Sequence, residues 1–354
     1  MTLFFVTNRE DAHVKRFDAL FETLTEQYER IHITEGANGE PRAAVSGSVC
    51  KSWDELVNAL SAPHSVVVSG PLDTVSGHLK QGDFRHIAIS FATDVMVSAS
   101  QSAEQLSRLR DLVPDLDTVV TDNYATENAL VALGAQQENI LRIPWGPHAL
   151  RSRESLTRAD CGWPEDKRVV LYPRSLEPHY DPLVFISALE QVVSKFPDTL
   201  AVLVETGSLI HVVKQTLEQK GLAENVHFEP PRGPDTFRSM MALADAVVVT
   251  PRTDGTSVTV MDAMALGVPV VSSLTSGSAE WVMEGITGWT FPVGDADALA
   301  SAIERALTSD PARKAAIVGQ AKTLVEEKAG WDVSSERLAE VIRRALAPHL
   351  NELS

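Results

Sequence analysis

The chain has 354 residues, a net charge of −17 and two cysteines, a length that exceeds what one hydrophobic core usually supports, so two domains are expected. The acidic balance argues against a nucleic-acid partner and against electrostatic binding to anionic lipid, both of which need clustered Lys and Arg. No apolar run reaches bilayer-spanning length, "MTLFFVTNRE" turns polar too quickly for a secretory leader, and Cys50 and Cys161 lie far apart without metal-ligand spacing, so the chain reads as cytoplasmic, with no transmembrane segment.

"TLFFVT" opens as a short buried strand, and "DAHVKRFDALFETLTEQY" follows with Val14, Phe17, Leu20, Phe21 and Leu24 at helical spacing. "RIHIT" is a second strand. "SWDELVNALSA" is a helix whose Ser52 and Glu55 have capping-box spacing. "SVVVSG", "HIAIS" and "DTVVTD" read as strands, with the helix "SAEQLSRLRDLV" between the last two. The helix "ATENALVALG" closes at Gly134, and "ILRIP" is another strand. Periodicity lapses over "GPHALRSRESLTRADCGWPEDK", a linker candidate and the expected hinge. The alternation then restarts through "RVVLYP", "DPLVFISALEQVVSKF", "LAVLVE", "SLIHVVKQTLEQKG", "NVHFEP", "PDTFRSMMALA" and "AVVVTP". After the apolar helix that begins near Ser257 come strand "PVVSS", a short helix near "SAEWVMEG", strand "GWTFPV" and helix "ADALASAIERALT". Strands alternating with helices mean α/β domains with mainly parallel sheets, here two in succession. Ligands in such sheets sit beyond the carboxyl ends of the strands.

"DGTSVTVMDAMALGVPVV", residues 254–271, sets Asp254 and Asp262 on either side of a Gly-Thr-Ser loop and the start of a helix that is apolar on nearly every side. Such a helix is buried, and a carboxylate inside it is costly unless something pairs with it. Asp262 is therefore either a structural cap or buried ion pair, or a ligand contact. Ser257 or Thr256 can cap the helix, Gly255 lets the backbone approach a ligand, and the unpaired N–H groups of the first turn make an anion site. The arrangement suits a phosphate flanked by acids, and a carboxylate matches the vicinal hydroxyls of a ribose.

With these residues in view, 169–307 resembles the donor-binding domain of GT-B glycosyltransferases, close to glycosyltransferase family 4, the glycosyl transferases group 1. "DGTSVTVMDAMALGVPVVSS" resembles the family's acid–seven residues–acid motif, with Asp where Glu is usual. "SGSAEWVMEGITGWTFPVGDADALASAI" resembles the segment after it, with Glu280, Gly288 and Gly294 in their usual places. "NALVALGAQQENILRIPWG" resembles the end of the acceptor domain, and "GWDVSSERLAEVIRRAL" the closing helix.

The resemblance implies an α/β GT-B fold, two Rossmann-like doubly wound domains facing across a cleft. The first, 1–148, would lie on the acceptor side. The second, 149–330, would bind the nucleotide sugar, and 331–354 would form a helix crossing back. It implies that Asp254 holds hydroxyls of the donor sugar, Asp262 holds the nucleotide ribose, the amides of Gly255, Thr256, Ser257 and Val258 hold the diphosphate, and Glu280 fixes the loop beneath the nucleotide. In "YPRSLEPHYDP" the family places an Arg and a Lys on the diphosphate. Aligning on Pro178 puts Ser175 and Tyr180 there, whereas aligning on Arg174 gives Arg174 and His179. Arg174 is then a phosphate ligand or a surface ion pair, and Arg252 stands close enough to the loop to replace the second charge.

In the first domain "TNREDAH" replaces a Gly-Gly loop, bringing Asn8 and Arg9 to the cleft. Asp94 of "ISFATDVM" resembles an acid of some members, and each of these three is a candidate acceptor contact or an ordinary loop residue. His86 and His148 read as ordinary polar residues. The whole implies a retaining, metal-independent glycosyltransferase without a cofactor. It would use a nucleotide-diphosphate sugar as donor and a glycan, lipid-linked or small-molecule hydroxyl as acceptor. The alternative is a catalytically weak sugar-nucleotide-binding subunit of a glycosyltransferase complex.

Overall fold

The structure, a computed structural model, describes residues 1–10, 12–35, 40–61, 64–147 and 155–347. It divides into two units, Met1–Trp145 with the chain from Asp332 onward, and Gly146–Trp331.

In the first unit, β1 (Leu3–Thr7), β2 (Tyr28–His32), β3 (Thr34–Glu35), β4 (Pro41–Val45), β5 (Ser48–Cys50), β6 (Val66–Gly70), β7 (Arg85–Ile89), β8 (Thr118–Thr121) and β9 (Ile140–Arg142) follow in chain order. Six of them form a parallel sheet in the order β2-β1-β6-β7-β8-β9. Every residue of β1 and β6 is buried, as expected when helices cover both faces. Ser52 caps the helix Trp53–Leu60 by accepting from the Glu55 amide, but the return bond from Glu55 lands on the Lys51 amide, one residue outside the expected box.

β3, β4 and β5 form a separate antiparallel piece. The β4–β5 turn holds Ser46 and Gly47 at φ of 48° and 80°, the left-handed pair that matches the twist of a tight hairpin. The Glu29 carboxylate accepts from the Ser46 amide at 2.6 Å and its hydroxyl at 3.0 Å, which braces the non-glycine residue in that conformation. The helix Trp331–Leu346 belongs to this unit from Asp332 onward. Arg85, at the start of β7, donates to the carbonyls of Arg344, Ala345 and Ala347, placing a cation at the negative end of that helix.

The second unit contains β10 (Arg168–Tyr172), β11 (Thr199–Val204), β12 (Val226–Glu229), β13 (Ala246–Val249), β14 (Val270–Ser273) and β15 (Trp289–Phe291). They form a parallel sheet in the order β12-β11-β10-β13-β14-β15. Alternate residues of β10 serve opposite faces. Val169 and Leu171 join Val247, Met261 and Met264 on one side, and Val170 and Tyr172 join Phe185, Leu189 and Ile303 on the other. An 18-residue helix, Pro311–Lys328, starts at the cap Asp310 and buries Ile317, Ala321 and Val325 at four-residue spacing. It packs on the helix Val258–Leu266.

The linker expectation needs correction where the structure describes it. His148 and 149–154 lie outside the described residues, but 155–167 is built into the second unit. Trp163 is buried in its core, and Arg158 donates to Leu243 O, Lys167 O and the Asp245 carboxylate. The lapse in periodicity there reflects core contacts made with only the short 3-10 turn Ala159–Cys161 as a regular element.

His86, on β7, is buried, and its Nε2 lies 2.6 Å from Ser69 Oγ, which in turn contacts Ser76. Burial lowers its pKa to about 4 from 6.5. The depressed value means that the unfolded chain takes up this proton first. Stability is unaffected by His86 above pH 6.5, and it falls by about 1.4 kcal/mol per pH unit as pH drops from there towards 4. His86→Gln should remove this contribution, so its denaturation free energy should decline less than that of the native chain between pH 7 and pH 5. Parallel declines would show that His86 is not held neutral.

Candidate functional site

In the second sheet the strand order reverses between β10 and β13. Loops leaving the carboxyl ends of these neighbours diverge, and ligand sites of doubly wound sheets form at this place. The two loops are 173–181 and 250–257, the stretches that carry Arg174 and Asp254.

The first loop is anchored at both ends. Leu176 is buried, donates to Thr206 O at 2.7 Å and accepts from the Leu209 amide at 2.8 Å. Gly207, at φ 119°, makes this close approach possible, because a Cβ there would lie 2.5 Å from Leu176 N. The Glu177 carboxylate accepts from the Ser208 amide and hydroxyl, which lowers its pKa. At the far end, the Tyr180 carbonyl accepts from Tyr172 Oη at 2.7 Å and Thr250 Oγ1 at 2.6 Å. The chain then turns at Asp181, φ 48°, into the helix Pro182–Lys195.

Between these anchors Arg174 reaches across to the second loop. Its Nη2 donates to Asp254 Oδ2 at 2.9 Å, its Nη1 donates to Thr259 Oγ1 at 3.2 Å, and its guanidinium lies 3.9 Å from the centre of the Tyr180 ring. Its Nε is buried with no hydrogen-bond partner among the described residues. The side chains of Arg174 and Asp254 are 12% and 17% exposed, so the pair is largely shielded from water. Arg174 is thus neither a surface ion pair nor isolated; the structure brings it directly to the first acid of the 254–262 motif.

Ser257 is the N-cap of the helix Val258–Leu266, accepting from the Val260 amide, and Gly267 closes the helix at φ 75°. Gly277 fits beneath the head of this helix. A Cβ there would come 2.2 Å from Gly255 O and 2.6 Å from Asp254 O. The Gly277 segment is itself held by Ser278, whose hydroxyl donates to Ser273 O at 2.6 Å, and by Ser273 Oγ, which donates to Pro251 O at 2.7 Å. Glu280 ends the short turn Ser278–Glu280 and is half-buried. Asp262 is buried within the helix, and Arg238, from the helix Pro234–Met241, places its Nε 3.1 Å from Asp262 Oδ2. The ion-pair alternative for this acid is therefore realised by Arg238, a residue the sequence did not single out. Its signal is an arginine between Phe237 and Met240–Met241, which pack on the core.

The remaining candidates divide clearly. Arg252 pairs with Asp181 at 2.9 Å from a mostly exposed position, and its amide donates to His179 O. His179 lies against the Tyr180 ring, and burial, then the Arg174 charge, lowers its pKa from 6.5, so near neutral pH it adds no permanent second cation. Ser175 accepts from the Glu177 amide through its carbonyl.

In the first unit, Arg9 lies 4.3 Å over the Phe91 ring, next to half-buried Asn8. The buried Asp94 carboxylate accepts from the Leu72 and Phe91 amides and from Ser90 Oγ, so it ties the loop after β6 to the loop after β7. These bonds give Asp94 a structural task in the loops where its acceptor contact is expected. Among the described residues no group of His, Cys, Asp and Glu is arranged to hold a metal ion.

Gly277→Ala should displace the backbone of Asp254 and Gly255. We expect a loss of about 1–3 kcal/mol of stability, the usual range for overpacking, with faster hydrogen exchange over 252–258. Exchange unchanged in that segment would show that the loop accepts the methyl group without moving.

Residues 154–323 match the family model described as glycosyl transferases group 1. The chain is 28% identical over 184 residues to the GDP-mannose-dependent alpha-(1-6)-phosphatidylinositol monomannoside mannosyltransferase of Mycolicibacterium smegmatis, covering 50% of this chain and 48% of that one. It is 23% identical over 269 residues to the D-inositol 3-phosphate glycosyltransferase of Streptomyces griseus, covering 72% and 54%. The chain spans about half the length of these curated relatives. Its fold is similar to that of Anabaena Alr3699/HepE in complex with UDP-glucose, with a TM-score of 0.78 at 17% identity over 97% of this chain and 100% of that one. It is also similar to that of sucrose-phosphate synthase from Thermosynechococcus elongatus, with a TM-score of 0.75 at 17% identity, covering 97% and 99%. The chain therefore has the GT-B fold of these solved structures, and its residues 154–323 are similar to the glycosyl transferases group 1 family.

Proposed function

We propose that the chain is a retaining, metal-independent glycosyltransferase that moves a sugar from a nucleotide-diphosphate sugar to a hydroxyl acceptor. The observation that carries this reading is the meeting of Arg174 and Asp254 over the β10–β13 switch point, at the head of a capped helix. In this reading the amides of Gly255 to Val258 and the Arg174 guanidinium receive the diphosphate. Negative charge builds on its oxygens as the glycosidic bond breaks, and fixed donors at that place lower the barrier. Asp254 receives hydroxyls of the sugar, and Asp262, oriented by Arg238, receives the ribose. Glu280 and Gly277 support the loop from below. Retention of configuration follows from the family resemblance.

The relatives' names supply GDP-mannose and the structural neighbour supplies UDP-glucose, so both bases belong in the assay. Phosphatidylinositol monomannoside and inositol 3-phosphate, from the relatives' names, join glycans as acceptors to try. The second unit is proposed as the donor domain and the first as the acceptor side, with Asn8 and Arg9 as candidate contacts. No helix among the described residues is long and apolar enough to cross a membrane, which agrees with the proposed cytoplasmic location. The neutral His179 beside a single Arg174 cation favours a second reading, a catalytically weak nucleotide-sugar-binding subunit.

Release of UDP or GDP from a panel of sugar nucleotides separates the two. We expect release with at least one donor, persistence of that activity in EDTA, and a loss of about 100-fold or more in Arg174→Met, the scale for removing one charge-stabilising donor. Binding without release would support the subunit reading, and absence of both would refute the site. Activity abolished by EDTA and restored by Mg²⁺ or Mn²⁺ would show that amides and Arg174 do not suffice for the phosphates. Asp262→Asn should weaken nucleotide binding and also lower the melting temperature, because it leaves the covered Arg238 without this partner charge. Unchanged affinity with a large loss of melting temperature would leave Asp262 only its structural pair with Arg238.

A further inference from the structure

We propose that Asp254 is a built-in counter-anion that competes with the donor's diphosphate for Arg174, so that the site favours the whole sugar nucleotide over the nucleotide diphosphate left after transfer. The inference rests on the donor-site reading above. The two side chains pair at 2.9 Å with little access to water. Arg174 cannot follow an incoming anion, because Thr259 holds one end of its guanidinium and the Tyr180 ring holds its face. The Tyr180 backbone is held through its carbonyl by Tyr172 and Thr250. The phosphate must come to the arginine, and Asp254 must yield.

A yielding carboxylate that is 17% exposed has to find new donors. The hydroxyls of an intact donor sugar supply them. A nucleotide diphosphate alone does not; it leaves Asp254 beside a like charge with its arginine taken, and a covered carboxylate without partners is unfavourable. The exchange therefore penalises the product and spares the donor. Asp254 acts on the diphosphate through Arg174, in addition to its proposed contact with the sugar.

Calorimetric titration with UDP, GDP, UDP-glucose and GDP-mannose tests this on the native chain and on Asp254→Asn and Asp254→Ser, each checked by thermal melting. Two variants guard against a folding failure in either. For the base that binds, both variants should take the free diphosphate about tenfold more tightly, roughly 1.4 kcal/mol, while the sugar nucleotide gains nothing. The preference of the native chain for the donor should shrink accordingly. Folded variants that bind the diphosphate no more tightly, or that keep the native preference, would overturn the proposal. Arg174→Met separates the levels of failure. If it weakens all binding while the Asp254 variants leave the preference intact, the donor site stands and the counter-anion falls. If the native chain binds none of the four probes, the donor-site reading falls and this inference with it.

Discussion

The ion pair between Arg174 and Asp254 closes the gap between two loops that lie 80 residues apart in the chain. Each loop leaves the carboxyl end of a central strand, and the reversal of strand order makes them diverge. A side chain must bridge them if the opening is to hold one shape. The bridge is placed with several restraints behind it, since Leu176, Glu177 and Tyr180 tie the first loop to 206–209 and to Thr250. Removing one partner of a covered pair leaves the other charge uncompensated and costs about 3–5 kcal/mol. The loops are thus held in place before any ligand arrives, and the ordering cost of binding is correspondingly smaller.

The helix Val258–Leu266 shows how a polar task is built into an apolar element. The sheet, the helix Pro234–Met241 and the helix Pro311–Lys328 cover it, so nearly all its side chains are apolar. Its first turn stays open because the chain approaches through Gly255 with Gly277 packed beneath, leaving no room for a side chain at position 277. Asp262 is the exception inside, and it is tolerated because Arg238 arrives from a neighbouring helix with the opposite charge. Each of the two acids in the motif therefore has its own arginine, supplied by a different part of the chain.

Much of this was readable before any coordinates. Short apolar runs identify the strands of both parallel sheets and period-3.6 patterns the helices between them, and Gly134, Ser52 and Ser257 mark helix ends by stereochemistry that acts locally. The acids of the 254–262 motif are visible because charge inside an apolar helix is conspicuous. Arg238 and Thr259 were not, because their importance comes from partners distant in sequence or on another element. The hairpin Pro41–Cys50 has little apolar contrast, since Ala43 and Ala44 alternate between inside and outside without differing in type. The helix Pro311–Lys328 was missed for a similar reason. Its buried stripe is Ile317, Ala321 and Val325, diluted by alanines elsewhere on its surface. Trp163, read as part of a linker, packs into a core without belonging to a strand or helix.

The charge balance of the chain sharpens the role of the local geometry. A chain at −17 opposes any anionic donor at long range. At physiological ionic strength that field is screened over about 8 Å, so capture is decided by groups in direct contact. Burial and the Arg174 charge keep His179 neutral, and the Arg252 charge is paired with Asp181, so neither offsets the overall charge at the loop. Arg174 is matched by Asp254, which leaves this pair electrically balanced. On the proposed reading, the positive end of the helix then provides the first attraction for a diphosphate, and the arginine becomes available only as its carboxylate turns to the sugar. A site of this kind discriminates by what it must give up as well as by what it gains, and an anion without a sugar offers little in return.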